Sequence, residues 1–265
     1  MEEKRQSGDP KEMSFWNHLD DLRATLFRIA LGILVFMILV FANKTLVFDV
    51  IIFGPSSSDF ILYKGLCWLG NQLSISGFCI EPFTAKFQNI TVAGQFFTHI
   101  TTSFWFGLVL SFPWIIYQLW LFIRPALYDN ERAATTKAFW FSSTLFYAGV
   151  LVGYMLVFPI AFKFLNIYFL TERVEQIVTL ASYIDLLVML VLGMGVVFQM
   201  PVLILLLSRI GIVNKAFLKK YRRYAIVIIL ILIAVITPTP DPATMLIASV
   251  PLLLLYEFSI YICKQ

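Results

Sequence analysis

The sequence predicts an all-α polytopic membrane protein with six transmembrane helices, the last two short, and three observations support that class. Of 265 residues, 60% are hydrophobic and 14% charged, where a soluble domain averages roughly 45–50% and about 25%. The mean hydropathy is +0.84. The apolar residues gather into six runs that cross, or nearly cross, a hydrocarbon core about 30 Å thick, and in that medium a helix satisfies its own backbone hydrogen bonds. At roughly 20 residues per crossing no large soluble domain fits, so residues 1–265 read as a single membrane domain.

Residues 1–24 form a polar arm without the apolar stretch of a cleavable signal peptide. The first span runs from Thr25 to Ala42. Residues 43–94 make a long connection with turn signals at Gly54, Pro55 and Ser56–Ser58, read as partly helical and skimming the lipid surface. The second span runs from Phe96 to Phe122 through Pro113, and the third from Ala138 to Phe164 with Pro159 near its end. The fourth, Tyr183 to Leu207, contains Pro201. The fifth, Ala225 to Ile236, rises only about 18 Å, and the sixth, Met245 to Ile262, contains Pro251. Connections 125–137 and 209–223 separate spans two from three and four from five.

Six crossings put both termini on one face. That face carries fifteen of the twenty Lys and Arg residues, in the arm with Arg28, in 125–137 with Arg124, in 209–223 and at Lys264. By the positive-inside rule it is cytoplasmic, which predicts a multi-pass protein of the cytoplasmic (inner) membrane. Segment 43–94 is then extra-cytoplasmic. Cys67 and Cys79 lie there, where a disulfide can persist; a bridge and two free apolar thiols both fit the sequence. The net charge of +4 reflects this topology and is no argument for nucleic acid.

Several function classes lack their signatures. There is no phosphate loop, no His-Glu-x-x-His and no Gly-x-Ser-x-Gly, and His18 and His99 with three cysteines have no metal-ligand spacing. No metal, cofactor or enzymatic activity is expected. A secondary transporter would show paired repeats or charged midplane segments, and neither is present. What remains is polar residues at the cytoplasmic rim. Asp20 and Asp21 precede the first span, where carboxylates in a first helical turn would favour the dipole. Glu131 follows an aromatic stretch, Trp114 to Phe122, on the same rim as Asp21. Two such carboxylates can accept guanidinium groups bidentately, or each can be an ordinary solvated charge. Gln199 is the one strongly polar residue near mid-span, with structural and functional readings both open. Gly149 and Gly153 form a small-xxx-small pair of the kind used in ordinary helix packing.

The motifs Phe15-Trp16-Asn17-His18-Leu19-Asp20-Asp21-Leu22-Arg23, Ser111-Phe112-Pro113 through Tyr128 with Glu131-Arg132, Gly195-Val196-Val197-Phe198-Gln199-Met200-Pro201, Thr237-Pro238-Thr239-Pro240-Asp241, and Leu255-Tyr256-Glu257 occur in order at the right span lengths. Together they resemble TatC, the C-subunit family of the twin-arginine (Sec-independent) protein translocase. The resemblance implies a glove-shaped, concave six-helix bundle that binds twin-arginine signal peptides of folded precursors. It implies a multi-subunit complex with small single-span subunits of the TatA/TatB type, driven by the proton-motive force. It assigns signal-peptide binding to Asp21 and Glu131, with Arg23, Phe122 and Arg124 in support. Gln199, Asp241 and Glu257 match positions of partner-subunit contact or structural polarity. Two departures stand out: Asp21 replaces a Glu common in the family, and Gln199 replaces a Glu that some members carry and therefore cannot ionise.

Overall fold

The structure, a computed structural model, describes residues 15–57, 60–73, 87–123, 129–168, 171, 177–209, 211–237 and 242–263. It is built from helices α1 (Phe15–Ala42), α2 (Ile61–Leu73), α3 (Gly94–Ile123), α4 (Asp129–Val152), α5 (Phe158–Ile167), α6 (Leu180–Val197), α7 (Met200–Arg209), α8 (Lys215–Lys220), α9 (Arg222–Ile236) and α10 (Pro242–Ile262). Five stretches are long and apolar enough to cross a membrane: Leu19–Ala42, Gly94–Ile123, Phe139–Ile167, Leu180–Arg209 and Met245–Ile262. The remaining expected span is α9, whose 15 residues rise about 22 Å. Of the last pair α9 is the short one, because α10 starts three residues before Met245 and reaches 21 residues.

Helix boundaries depart from the sequence reading where polar residues continue a helix past the lipid edge. Helix α1 begins at Phe15, so ten residues of the expected arm are helical, and Asp20 and Asp21 lie beyond its first turn. The macrodipole explanation for these carboxylates is thereby overturned, since the effect fades within one turn. Helix α4 likewise starts at Asp129, inside the expected 125–137 connection, and the 209–223 connection holds α8 and the start of α9.

Prolines act according to the room around them. Pro113 and Pro251 sit inside α3 and α10 without ending them. Pro201 stands at the head of α7, and the chain turns at Phe198 and Gln199, whose amides reach Met194 O at 2.9 Å and Val196 O at 3.0 Å. A proline lacks the amide that would continue α6 and its ring crowds the carbonyl four residues back, so the fourth span breaks there. The third span is continuous but widens into a π-helical turn at Gly153–Val157 before α5.

Glycines set the closest helix approaches. A Cβ on Gly107 of α3 would lie 2.7 Å from the Met37 amide nitrogen of α1, and one on Gly32 would enter the Trp114 ring. Trp114 Nε1 donates to Arg28 O at 3.1 Å. Between α4 and α6, a Cβ on Gly149 would lie 2.7 Å from Met194 O, and one on Gly153 2.9 Å from Val191 Cα. The small-xxx-small pair is therefore spent inside the chain. Phe146 fills the same seam, stacked on Phe112 with centroids 3.6 Å apart.

The connection between the first two spans, residues 43–94, is largely helical where described: a π-helical stretch Leu46–Ile52, a 3-10 turn Gly54–Ser56 and α2. Tyrosine hydroxyls tie it to the spans. Tyr154 donates to Ile51 O and Tyr183 to Ile52 O, each at 2.6 Å, while Tyr63 reaches Pro55 O at 3.1 Å. Burial pushes the Tyr63 hydroxyl well above its ordinary range, so it acts as a permanent donor. A feature absent from the sequence reading is a two-residue parallel ladder, β1 (Phe87–Gln88) on β2 (Val178–Thr179), closing over Tyr183. Cys67 is disulfide-bonded and Cys263 is a buried free thiol; Cys79 lies outside the described residues.

Two expectations follow. Maleimide labelling of the denatured, unreduced chain should modify one thiol, rising to three after reduction; three labels without reductant would contradict the bridge at Cys67. Gly149→Leu should lower the thermal midpoint in detergent sharply, by the equivalent of about 2 kcal/mol or more. Gly65→Ala, in open space on α2, should be neutral or slightly stabilising.

Candidate functional site at the cytoplasmic rim

The α1–α3 contacts fix an antiparallel register. Met37 faces Gly107, Gly32 faces Trp114, and Trp114 also reaches the Arg28 carbonyl, so each step back along α1 is matched by a step forward along α3. Continuing that register brings Asp21 level with the last turn of α3, where Phe122 stands half-buried. Asp21 and Arg23 are both exposed, and neither forms an ion pair among the described residues. The Asp21 carbonyl accepts a hydrogen bond from Thr25 Oγ1 at 2.8 Å, which involves only its backbone.

Glu131 lies in the first turn of α4, nine residues after the aromatic stretch ends at Phe122. Arg124 and Asp241 lie outside the described residues. The structure thus brings the Asp21 backbone and Phe122 to one level, with α4 returning from that end.

Gln199 is not at the rim. It occupies the turn between α6 and α7, where Ser142 Oγ of α4 donates to its Oε1 at 2.6 Å and its Nε2 donates to Ser142 O at 3.2 Å. Both ends of the amide are engaged, so Gln199 ties the third span to the break in the fourth. Sequence reasoning identified Gln199 and missed Ser142; a small polar residue in an apolar run was the available signal. Glu257 is paired too: its Oε1 lies 2.6 Å from Arg222 Nε, linking α10 to the start of α9, with the side chains 45% and 57% exposed. An exposed pair contributes about 0–1 kcal/mol.

Among the described residues no group of three His, Cys, Asp or Glu is placed to hold a metal. His99 stacks on Phe41 at 4.0 Å, and its edge meets Phe48 at 5.5 Å. Away from the rim, Trp105, Phe106, Val109, Tyr154, Leu187 and Val191 line an apolar cavity of about 230 Å³ between α3, the third span and α6.

If the amide of Gln199 and the Ser142 hydroxyl form one contact, Gln199→Ala and Ser142→Ala should be non-additive in a double-mutant cycle. We expect a coupling of roughly 0.5–1.5 kcal/mol in detergent unfolding. Strict additivity would contradict it.

The family model described as "Sec-independent protein translocase protein (TatC)" matches residues 17–251. The chain is 37% identical over 256 residues to the Sec-independent protein translocase protein TatC of Blattabacterium sp. subsp. Periplaneta americana, covering 96% of each chain. It is 33% identical over 253 residues to TatCy of Bacillus subtilis, covering 96% of this chain and 89% of that one. A crystal structure of the twin-arginine translocase receptor TatC in DDM superposes with a TM-score of 0.70 at 29% identity, over 94% of this chain and all of that one. The chain therefore belongs to the TatC family, multi-pass membrane subunits of the Sec-independent protein translocase and not enzymes.

Proposed function

We propose that this chain is the receptor for twin-arginine signal peptides within a translocase that moves folded proteins across the cytoplasmic membrane using the proton-motive force. Both termini are cytoplasmic on this reading, in keeping with fifteen of twenty basic residues on that face. Small single-span subunits of the TatA/TatB type complete the assembly.

The observation that carries the reading is Asp21, exposed, without an ion-pair partner among the described residues, and level with Phe122 at the end from which the chain returns through Glu131. A guanidinium pair arriving from the cytoplasm exchanges water for these two carboxylates. Each charge-assisted hydrogen bond contributes about 1.5–3 kcal/mol. Asp21 has one methylene less reach than Glu, so Glu131 makes the closer contact and Asp21 adds attraction at longer range. Arg23 and Arg124 set the local field, and Phe122 offers a ring face to the guanidinium plane. The apolar segment of the signal peptide then lies along the concave face, against surfaces such as the cavity walled by Trp105 and Phe106.

Glu131→Ala should weaken binding of a twin-arginine peptide at least ten-fold, and Asp21→Asn by less, while both variants still insert and stay helical. A peptide with paired lysines should bind the parent chain more weakly, because an ammonium cannot engage a carboxylate through two parallel N–H groups. Unchanged affinity of Glu131→Ala in a detergent pulldown would overturn the proposal.

A further inference from the structure

The elbow between α8 and α9 carries a concentration of positive charge that signal-peptide recognition does not use. Residues 209–224 contain Arg209, Lys215, Lys219, Lys220, Arg222 and Arg223 and no Asp or Glu. Arg222 is taken by Glu257. Lys219, Lys220 and Arg223 are exposed and form no ion pair among the described residues.

These cations stand on a fixed platform. Leu218 is buried, and its carbonyl accepts a hydrogen bond from Tyr256 of α10 at 2.9 Å. Asn214 Oδ1 caps the Phe217 amide at 2.7 Å, and Cys263 contacts Ser208 Oγ at 2.9 Å at the near end of the connection. Exposed rings accompany the charges: Phe217, Tyr221 and Tyr224 follow one another with centroids 4.5 and 5.9 Å apart, and Lys220 Nζ lies 5.8 Å from the Tyr221 ring centre. Aromatic rings beside basic groups at the end of an apolar helix are the pattern of a headgroup-level surface.

Below the platform the surface stays continuous and turns apolar. Tyr224, Ile228, Ile231 and Val235 recur at helical spacing on one face of α9, and all are exposed, from 59% for Ile231 to 72% for Val235. A phosphate at Lys219, Lys220 and Arg223 therefore sits above a track that fits an acyl chain. A soluble anion would use the charges and leave this track empty; a lipid uses both.

We propose that the α8–α9 elbow is a binding site for an anionic phospholipid of the adjoining leaflet, its headgroup held by Lys219, Lys220 and Arg223 and one acyl chain running along Tyr224, Ile228, Ile231 and Val235. The site rests on reading α9 as a span and is independent of peptide recognition at Asp21 and Glu131. Each basic side chain at an anionic surface is worth about a five-fold change in affinity.

Native mass spectrometry of the full chain in detergent, titrated with phosphatidylglycerol or phosphatidylcholine, tests the site. We expect phosphatidylglycerol to bind at least ten-fold more tightly. The triple variant Lys219→Gln, Lys220→Gln, Arg223→Gln should reduce that preference to two-fold or less, and the charge-preserving Lys219→Arg, Lys220→Arg, Arg223→Lys variant should keep it. Inorganic phosphate at matched concentration should not displace the lipid. Equal affinity of the parent chain for the two lipids overturns the proposal even if the neutral variant fails to fold. So does a folded neutral variant with undiminished preference, or displacement by free phosphate. Twin-arginine peptide binding by the neutral variant should stay within two-fold of the parent, which separates failure here from failure of the receptor assignment.

Discussion

Helices in hydrocarbon gain nothing from hiding apolar surface from one another, because lipid tails are as apolar as leucine. What holds this bundle together is close backbone approach at a few glycines and a small set of hydrogen bonds between spans. Gly107 and Gly32 let α1 and α3 close on each other, and Gly149 and Gly153 do the same for α4 and α6. Where approach alone does not fix register, polar groups do: Ser142 with Gln199 across the third and fourth spans, and Tyr154 and Tyr183 onto the carbonyls of Ile51 and Ile52. Each donor in that list has an acceptor within hydrogen-bond reach, which in low dielectric is where a bond counts most.

The same contacts position the rim. Leu19, Asp20, Asp21 and Arg23 of α1 are exposed, so their placement derives from the helix register set further along α1. The Gly32–Trp114 and Met37–Gly107 contacts lie about three and about four and a half turns inside Asp21 and transmit position along two stiff rods. A change at Gly107 would therefore disturb the rim without touching it. On the other side, the π-helical turn at Gly153–Val157 interrupts regular α-helix in the third span, and the turn at Gln199 divides the fourth into α6 and α7.

Most of the architecture was legible because lipid imposes one rule on every span, and runs of apolar residues register that rule directly. Six runs, their order and the shortness of the fifth follow from it. The rule is silent once a helix leaves the membrane, which is why the helical starts of α1 and α4 and the whole of α8 read as loop. The β1–β2 ladder joins residues some ninety positions apart through two residues each, too short for any periodicity to show. At the rim, Asp21 and Glu131 stood out through a family resemblance, since spacing alone left them as ordinary surface charges. Ser142 was missed because a serine in an apolar run, although visible, names no partner.

If Asp21 and Glu131 receive a cationic ligand as proposed, the basic residues gathered on the same face must not neutralise them first. Helix geometry solves this for Asp21. Side chains meet at spacings of three and four, and those positions hold Ala24 and Thr25; Arg23, two residues on, points to another face, and Arg28 is two turns away. Glu131 repeats the arrangement in the sequence, with Arg132 adjacent but Ala134 and Thr135 at the contacting spacings. Glu257 is the contrast, because there a neighbouring helix delivers Arg222 to within 2.6 Å. Six of the fifteen basic residues on that face lie in 209–223, on different helices from either carboxylate. On the proposed reading, that separation lets one face carry its excess of basic residues while Asp21, without an ion pair among the described residues, stays available to a cationic ligand.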